Sequence, residues 1–140
     1  MRIMAIDYGD QRIGLAVSDL LGMLCGEAWT MNEWDMERAS KRIAEEAAAR
    51  EVGTLVLGLP KNMDGSEGES AQNARAFGAE LAEKTGLPVD FSDERGTTIT
   101  AHGFLNETNT RGKRRKATVD AVAATIILQD YLDYRRNRKG

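Results

Sequence analysis

One stretch of the chain constrains the fold more than any other. It is an apolar run without a charged residue, TLVLGLP at residues 54–60. A continuous apolar run of this length is typical of a strand that is buried on both faces, as in sheets flanked by helices. We therefore expect an interior strand here, inside a three-layer α/β fold.

The segments around this strand have the patterns of further strands and helices. The predicted strands are residues 2–7, 12–18, 27–31, 54–60 and 88–94. Apolar residues at helical spacing predict helices over 35–51, between Ser66 and Gly86, over 97–106 and over 118–134. This order predicts one mixed five-stranded sheet. Its first three strands are antiparallel, its later strands are parallel, and helices cover both faces.

Two local signals indicate where helices end or begin. Gly53 follows the first helix, as a residue that stops a helix commonly does. Ser66, with Glu69 three residues later, fits a capping box at the start of the second helix.

Composition narrows the class of protein. The 140 residues suit a single domain, residues 1–140, and the content of 41% hydrophobic and 29% charged residues is typical of a globular protein. The charge-free apolar stretches are much shorter than the roughly 20 residues that a membrane span needs, so we expect a cytoplasmic protein without a membrane partner. One cysteine excludes an internal disulfide, and one cysteine with one histidine excludes a Cys/His zinc site.

Basic residues are concentrated near the end of the chain. Residues 107–140 contain about half of the 19 lysines and arginines, although the whole chain has a net charge of −3. The densest run is RGKRRK at 111–116, and we expect it to lie in a flexible loop over 106–116 that contacts phosphates. The second run, RRNRK at 135–139, we interpret as solvated surface.

A glycine-rich segment follows the interior strand. It reads GLPKNMDGSEG, and its glycines would allow backbone amides to approach a phosphate near the start of the next helix. Lys61 could add a charged contact, although such stretches are also ordinary loops. Trp29 and Trp34 we interpret as packing residues rather than as platforms for base stacking.

Carboxylates stand where predicted strands end and where the last helix begins. Asp7 ends the first strand, Asp93 and Glu94 end the fifth, and Asp120 lies in the first turn of the last helix. The C-terminal ends of strands line the ligand crevice of such folds, so these acids could meet there. Mg²⁺ or Mn²⁺ would relieve their repulsion, and two such ions about 4 Å apart can support phosphodiester hydrolysis. Alternatively, Asp7 begins a turn and bonds its own backbone near Gly9.

Four motifs, in order and spacing, resemble those of the YqgF/RuvX family of RNase H-like proteins. They are AIDYGDQRIGLAVSD, GLPKNMDGSEG, SDERGTT and KRRKATVDAVAATIILQDYL, and they span nearly the whole chain. The resemblance implies an RNase H-like fold and a nuclease that requires a divalent metal, Mg²⁺ or Mn²⁺. Members of the family are described as Holliday junction resolvases and as nucleases that mature the 5′ end of pre-16S ribosomal RNA.

The resemblance also implies which residues act. By motif position, the catalytic and metal-binding acids are Asp7, Glu94 and Asp120. We expect nucleic acid to contact Lys61, Asn62, Arg95, Arg111, Lys113, Arg114, Arg115 and Lys116. The chain departs from the family at Gly96, where a larger apolar residue is usual. Together with Gly103, Gly96 weakens the helix predicted over 97–106.

Several functions fit these features. The leading one is a two-metal-ion endonuclease that matures the 5′ end of pre-16S ribosomal RNA, acting as a monomer or weak homodimer. The alternatives are a resolvase of four-way DNA junctions, which should act as a symmetric dimer, and a non-catalytic nucleic-acid-binding module. The first motif also resembles the phosphate-binding turn of actin-like sugar kinases. That fold needs two RNase H-like halves, and this chain supplies one.

Overall fold

The computed structural model describes residues 1–9, 12–22, 24–93 and 112–139, with side chains described over 121–136 in the last range. The strands are β1 (Arg2–Tyr8), β2 (Arg12–Ser18), β3 (Cys25–Asn32), β4 (Val52–Leu59) and β5 (Val89–Asp93). The helices of the described residues are α1 (Met36–Ala49), α2 (Glu69–Thr85) and α3 (Gly112–Lys139). The predicted order of these elements is confirmed, and the helix predicted over 97–106 lies outside the described residues.

The strands form one mixed sheet in the order β3-β2-β1-β4-β5. β2 is antiparallel to both β1 and β3, whereas β4 is parallel to β1 and β5 is parallel to β4. Strands β1, β3, β4 and β5 therefore run in one direction and end on the same side of the sheet. We call that side the carboxyl edge and the opposite side the amino edge.

Helices cover both faces of the sheet because its interior strands are apolar on both sides. The cluster under α1 and α2 includes Met4, Ile6, Ile13, Leu15, Leu55, Leu57, Ile43, Phe77 and Leu81. The cluster under α3 contains Ile3, Ala5, Ala16, Val56, Ala124, Ile127, Leu128 and Leu132. Consecutive residues of β4, from Leu55 to Leu57, are fully buried, which confirms the prediction of an interior strand at 54–60.

Helix α3 begins six residues earlier than predicted, at Gly112 rather than at Thr118. The expected loop over 106–116 is therefore wrong for residues 112–116, because Lys113, Arg114, Arg115 and Lys116 lie in the first turns of α3. Arginine and lysine are good helix formers, so a helix that is anchored further along can extend through them.

The end of α1 also differs from the prediction. The helix ends at Ala49, Arg50 is its C-cap, and Glu51 adopts the left-handed region with φ of 56°. Gly53, the predicted stop, lies inside β4 instead. A Cβ at Gly53 would lie 2.8 Å from the Met1 sulfur, so a larger residue there would require the exposed Met1 side chain to move.

Candidate active site

Among the described residues, several that the sequence singled out lie at the carboxyl edge. Asp7 is near the end of β1, β5 ends at Asp93, and β3 leads through Trp34 into α1. Residues 60–68, which we call the glycine loop, follow the end of β4. Because ligands of open α/β sheets bind outside the C-terminal ends of strands, this edge is the candidate active site.

Asp7 is half-buried and lies on the face of β1 that packs against α3. Its partner in register on β2 is Gly14. On the other side Ile6 is in register with Leu57, which places Gly58 beside Asp7. A glycine therefore flanks Asp7 on each neighbouring strand, so neither neighbour contributes a side chain that would crowd the carboxylate.

The same cross-strand row continues to both outer strands. Thr30 of β3 is in register with Gly14, and Ser92 of β5 is in register with Gly58. The row thus has one charged residue at its centre, Asp7, and no other side chain larger than threonine. The side chains on either side of Asp7 along the sheet are therefore small.

The end of β5 presents its residues alternately to the two faces of the sheet. Phe91 faces α2, since a Cβ built at Gly78 would lie 2.7 Å from the Cζ of Phe91. Asp93, two residues later, is on that same face and so opposite to Asp7. Ser92 is on the Asp7 face, and Glu94 lies outside the described residues.

Helix α3 contributes the third candidate acid. Asp120 lies in α3 one turn before Ala124, and its side chain is outside the described part. Ala124 is buried in one cluster with Ala5, which lies two residues before Asp7 on the same face of β1. The stretch of α3 that follows Asp120 therefore packs on the sheet face to which Asp7 belongs.

A tyrosine on α3 links this helix to the edge strand, which the sequence patterns did not indicate. The Tyr131 hydroxyl donates a hydrogen bond to the carboxylate of Asp90 in β5. A cleft of about 760 Å³ lies beside this contact, and its lining includes Ser92 and Tyr134. No periodicity could have paired Tyr131 with Asp90, because they are far apart in sequence and both are partly exposed.

The glycine loop is shaped by its own hydrogen bonds. The Asp64 carboxylate accepts from the backbone N–H of Ser66 at 2.9 Å and from its hydroxyl at 2.6 Å. The Asn62 side-chain amide donates to the Ser66 hydroxyl at 2.9 Å, and Gly65 adopts a φ of 91°. The predicted capping box is wrong, because the N-cap of α2 is Gly68, without a side-chain hydrogen bond. Ser66 instead holds the loop together.

An ion pair fastens the loop to α2. Arg75 donates two hydrogen bonds to the Glu67 carboxylate. The hydrogen bond from Arg75 lowers the pKa of Glu67, and the charge of Lys61 lowers it further. Lys61, half-buried at the start of the loop, thus lies within electrostatic reach of Glu67.

Of the other predicted nucleic-acid contacts, the structure describes four, all in α3, and only their backbone. Lys113, Arg114, Arg115 and Lys116 are helical, with side chains outside the described part. Arg95 and Arg111 are outside the described residues altogether.

The donor chemistry at Asp7 suits a hard divalent cation. Carboxylate oxygens are preferred ligands of Mg²⁺ and Mn²⁺, and the neighbouring glycines on β2 and β4 add no side chain beside the carboxylate. Among the side chains that the structure describes, no three His, Cys, Asp or Glu residues form a metal-binding group. That set includes Asp7 but neither Glu94 nor Asp120.

The two tryptophans differ in exposure. Trp29 is half-buried against the core, with the Arg50 guanidinium carbon 4.3 Å from its ring centroid, which confirms the packing interpretation. Trp34 is 72% exposed, so the packing interpretation is wrong for it.

Comparison with known proteins assigns the chain to a family. The RuvX family model, described as Holliday junction resolvase, matches residues 1–134. The chain belongs to the RuvX family. Relatives named "Putative pre-16S rRNA nuclease" include one from Moorella thermoacetica, 45% identical over 95% of both chains. Another, from Ruegeria sp. (strain TM1040), is 42% identical over 96% of this chain and 86% of the relative.

Solved structures show the fold of this RuvX protein. The RuvC structure of Thermus thermophilus has a TM-score of 0.59 at 16% identity and covers 98% of this chain and 97% of its own. Fowlpox virus resolvase, solved with Holliday junction DNA, has a TM-score of 0.61 at 11% identity, over 96% and 99% of the two chains. The fold is therefore RNase H-like, as expected. No helix in the described ranges is long and apolar enough to cross a membrane.

Proposed function

We propose that this RuvX protein is a metal-dependent endonuclease that acts on structured RNA at the carboxyl edge, in 5′-end maturation of pre-16S ribosomal RNA. Family membership supports a nuclease, and so a phosphodiester hydrolase. The observation that carries the proposal is Asp7, a half-buried carboxylate at the end of an apolar strand with a glycine on either side. A residue whose only task was packing would not be charged there.

We infer that Asp7, Glu94 and Asp120 are the metal ligands. Two ions of Mg²⁺ or Mn²⁺, when bound, would supply Lewis-acid activation of water and stabilisation of the leaving oxygen. Asp7 supplies anionic oxygens from a strand held rigidly on both sides. Asp120 is expected to add a second carboxylate from α3, which packs against the sheet through Ala124. Asp93 is not part of this set, because strand alternation from Phe91 directs it to the α2 face, although it also borders the cleft beside Tyr131.

The rest of the edge would bind the nucleic-acid backbone. Lys61 is placed at the same edge as Asp7 and suits phosphate oxygens. The backbone N–H groups of Lys61, Asn62, Gly65 and Ser66 already donate within the protein, so the side chain of Lys61 is the proposed contact. The basic first turns of α3 add charge at the start of the helix that carries Asp120. Asn62 acts chiefly by shaping the loop, since its side-chain amide is bonded to Ser66.

A second candidate function is cleavage of four-way DNA junctions. The family description names Holliday junction resolvase, and the matching folds are resolvases over nearly their whole length. The RNA function is preferred because the relatives at 42–45% identity bear the ribosomal RNA name. A resolvase should in addition act as a symmetric dimer, in order to cut two strands.

One assay separates these functions. Purified protein is incubated with a ribosomal RNA precursor, a four-way DNA junction or plain duplex, each with Mg²⁺, with Mn²⁺ or with a chelator. Metal-dependent cleavage of the precursor at a defined site supports the proposal. Preferential symmetric cleavage of the junction would replace it with the resolvase. If the protein binds these substrates but cleaves none of them, the result would support the alternative of a non-catalytic nucleic-acid-binding module.

A further inference from the structure

We propose that Trp34 is a stacking platform for an unpaired base of the substrate, at the side of the active site formed by β3 and α1. This inference rests on the proposed function in one respect, namely that nucleic acid is the ligand of the carboxyl edge. The observation behind it is exposure, since 72% of Trp34 is accessible although tryptophan is a large apolar residue.

The position of Trp34 follows from the direction of the strands. β3 runs parallel to β1, so Trp34, two residues after the end of β3, lies at the same edge as Asp7. Two strand spacings separate β3 from β1, a lateral distance of about 10 Å. Trp34 also lies four residues beyond Thr30, which is in the same cross-strand row as Asp7, and this adds up to about 13 Å along the strand direction. The combined separation of about 16 Å corresponds to roughly five stacked nucleotides of one strand. A chain cut at Asp7 can therefore reach Trp34 within a few nucleotides.

The backbone on both sides of Trp34 is fixed. Before it, the Glu33 carboxylate lies 3.6 Å from Nη1 of Arg42, whose guanidinium also donates to the carbonyl of Asn32 at 3.0 Å. After it, Asp35 is the N-cap of α1 and accepts a hydrogen bond from the backbone N–H of Glu37 at 3.1 Å. A platform that is already ordered loses little conformational entropy when a base stacks on it.

The charges around Trp34 are compatible with a polyanion. The two nearest acids in sequence are each paired with an arginine of α1, Glu33 with Arg42 and Asp35 with Arg38. Lys41 is exposed on the same helix and lies three residues from Arg38. Exposed aromatic rings combined with cationic side chains bind single-stranded nucleic acid with little sequence preference, and α1, which begins two residues after Trp34, carries Arg38 and Lys41.

The test compares two RNA probes in metal-free buffer, where binding is measured without cleavage. One probe is an RNA hairpin with a single-stranded extension, and the other is the same hairpin with a blunt end. Trp34→Ala should weaken binding of the extended probe by roughly 5- to 100-fold and leave the blunt probe unchanged. Trp34→Phe should retain most of the binding. Leu21→Ala, at a site 80% exposed on the amino edge, is the matched control and should change neither probe.

Fluorescence adds a direct readout, because the chain has only two tryptophans. The extended probe should quench wild-type emission, and this quenching should disappear in Trp34→Phe, where Trp29 alone remains. Equal binding of the extended probe by wild type and Trp34→Ala would overturn the proposal even if the protein is a nuclease. A changed oligomeric state in Trp34→Ala, with RNA binding intact, would assign Trp34 to a protein interface instead. Failure of all cleavage assays would exclude the nuclease function. A Trp34-dependent preference for the extended probe over the blunt probe would still support the stacking role.

Discussion

Arg75 donates two hydrogen bonds to the Glu67 carboxylate, from Nε to Oε1 at 2.6 Å and from Nη2 to Oε2 at 2.8 Å. The same guanidinium lies over the ring of Phe91, with Cζ 5.3 Å from the ring centroid. One side chain of α2 thus contacts both the glycine loop and β5. Its contact in β5 is Phe91, which precedes Glu94 by three residues. We infer that Arg75 sets the position of the loop relative to the end of β5.

Replacing Arg75 should loosen the loop without unfolding the domain. In Arg75→Ala we expect faster amide hydrogen exchange at Gly65 and Ser66, a lower cleavage rate and a nearly unchanged melting temperature. Arg75→Lys keeps the charge but cannot make the two-pronged contact, so it should resemble Arg75→Ala in exchange. Protection at Ser66 that does not change in either variant would show that the loop holds its shape alone.

The same ion pair predicts a pH dependence. Arg75 lowers the pKa of Glu67 below its ordinary value of 4.5, so the pair stabilises the folded loop fully above that value. Its contribution is lost as the pH falls through the lower pKa of the folded state. Amide exchange at Ser66, corrected for intrinsic rates, should therefore rise on acidification below that range. Glu67→Gln should show a smaller rise than wild type, because it removes the Arg75 pair but leaves the Asp64 carboxylate that accepts from the Ser66 N–H.

Asp7→Asn should abolish cleavage while leaving the fold intact. We expect the rate to fall by at least about 100-fold, because an anionic ligand is lost at the reacting centre. Stability should change little or increase, since a half-buried charge is removed from the proposed cluster of acids. Asp93→Asn is the matched control, an acid at the same edge on the other face of the sheet, and should cleave normally. Wild-type turnover by pure Asp7→Asn would exclude the role of metal ligand.

Asp120→Glu tests the third acid by moving its carboxylate by one methylene group. Cleavage should fall strongly, since catalysis is sensitive to displacements of about 1 Å, whereas substrate binding should be mostly retained. Circular dichroism should confirm that α3 is intact, since glutamate is a good helix former. If both Asp120→Glu and Asp120→Ala cleave at the wild-type rate, the third ligand lies elsewhere in the chain.

The basic first turns of α3 should govern the salt dependence of binding. Neutralising Lys113, Arg114 and Arg115 should weaken substrate binding and flatten the log–log salt slope by about 0.7–0.9 for each phosphate that the protein no longer neutralises. The control is an equal neutralisation at the other end of α3, at Arg136, Arg138 and Lys139. A slope that changes equally in both variants would indicate a general charge effect rather than a specific contact.

The strands were predictable from the sequence because their burial is encoded locally. The run from Leu55 to Leu57 is buried on both faces and reads as apolar throughout. The helix ends were less predictable, because they depend on tertiary contacts. Gly53 resembles a helix stop but lies inside β4, and the left-handed residue after α1 is Glu51, which the sequence does not mark.

The candidate site, too, has features that the sequence predicts and features that depend on tertiary contacts. Asp7 stood out because a carboxylate that interrupts an apolar run is locally anomalous. Its flanking residues, Gly14 and Gly58, could not be identified, because they meet only through the register of three strands. The difference between the two tryptophans was equally hidden, because Trp29 is covered by Arg50, which comes from a distant part of the chain.

The separation of the two sheet edges also indicates where a label or a tag can be attached without affecting the candidate active site. The turn after β2 lies at the amino edge, closed by a hydrogen bond from the Asp19 N–H to the Leu24 carbonyl and carrying Leu21 on its outside. A dye, an affinity tag or an inserted reporter domain at Leu21 would stand a full strand length from Asp7. The carboxyl edge can thus stay unmodified for ligand binding, while the amino edge is used to immobilise or label the protein.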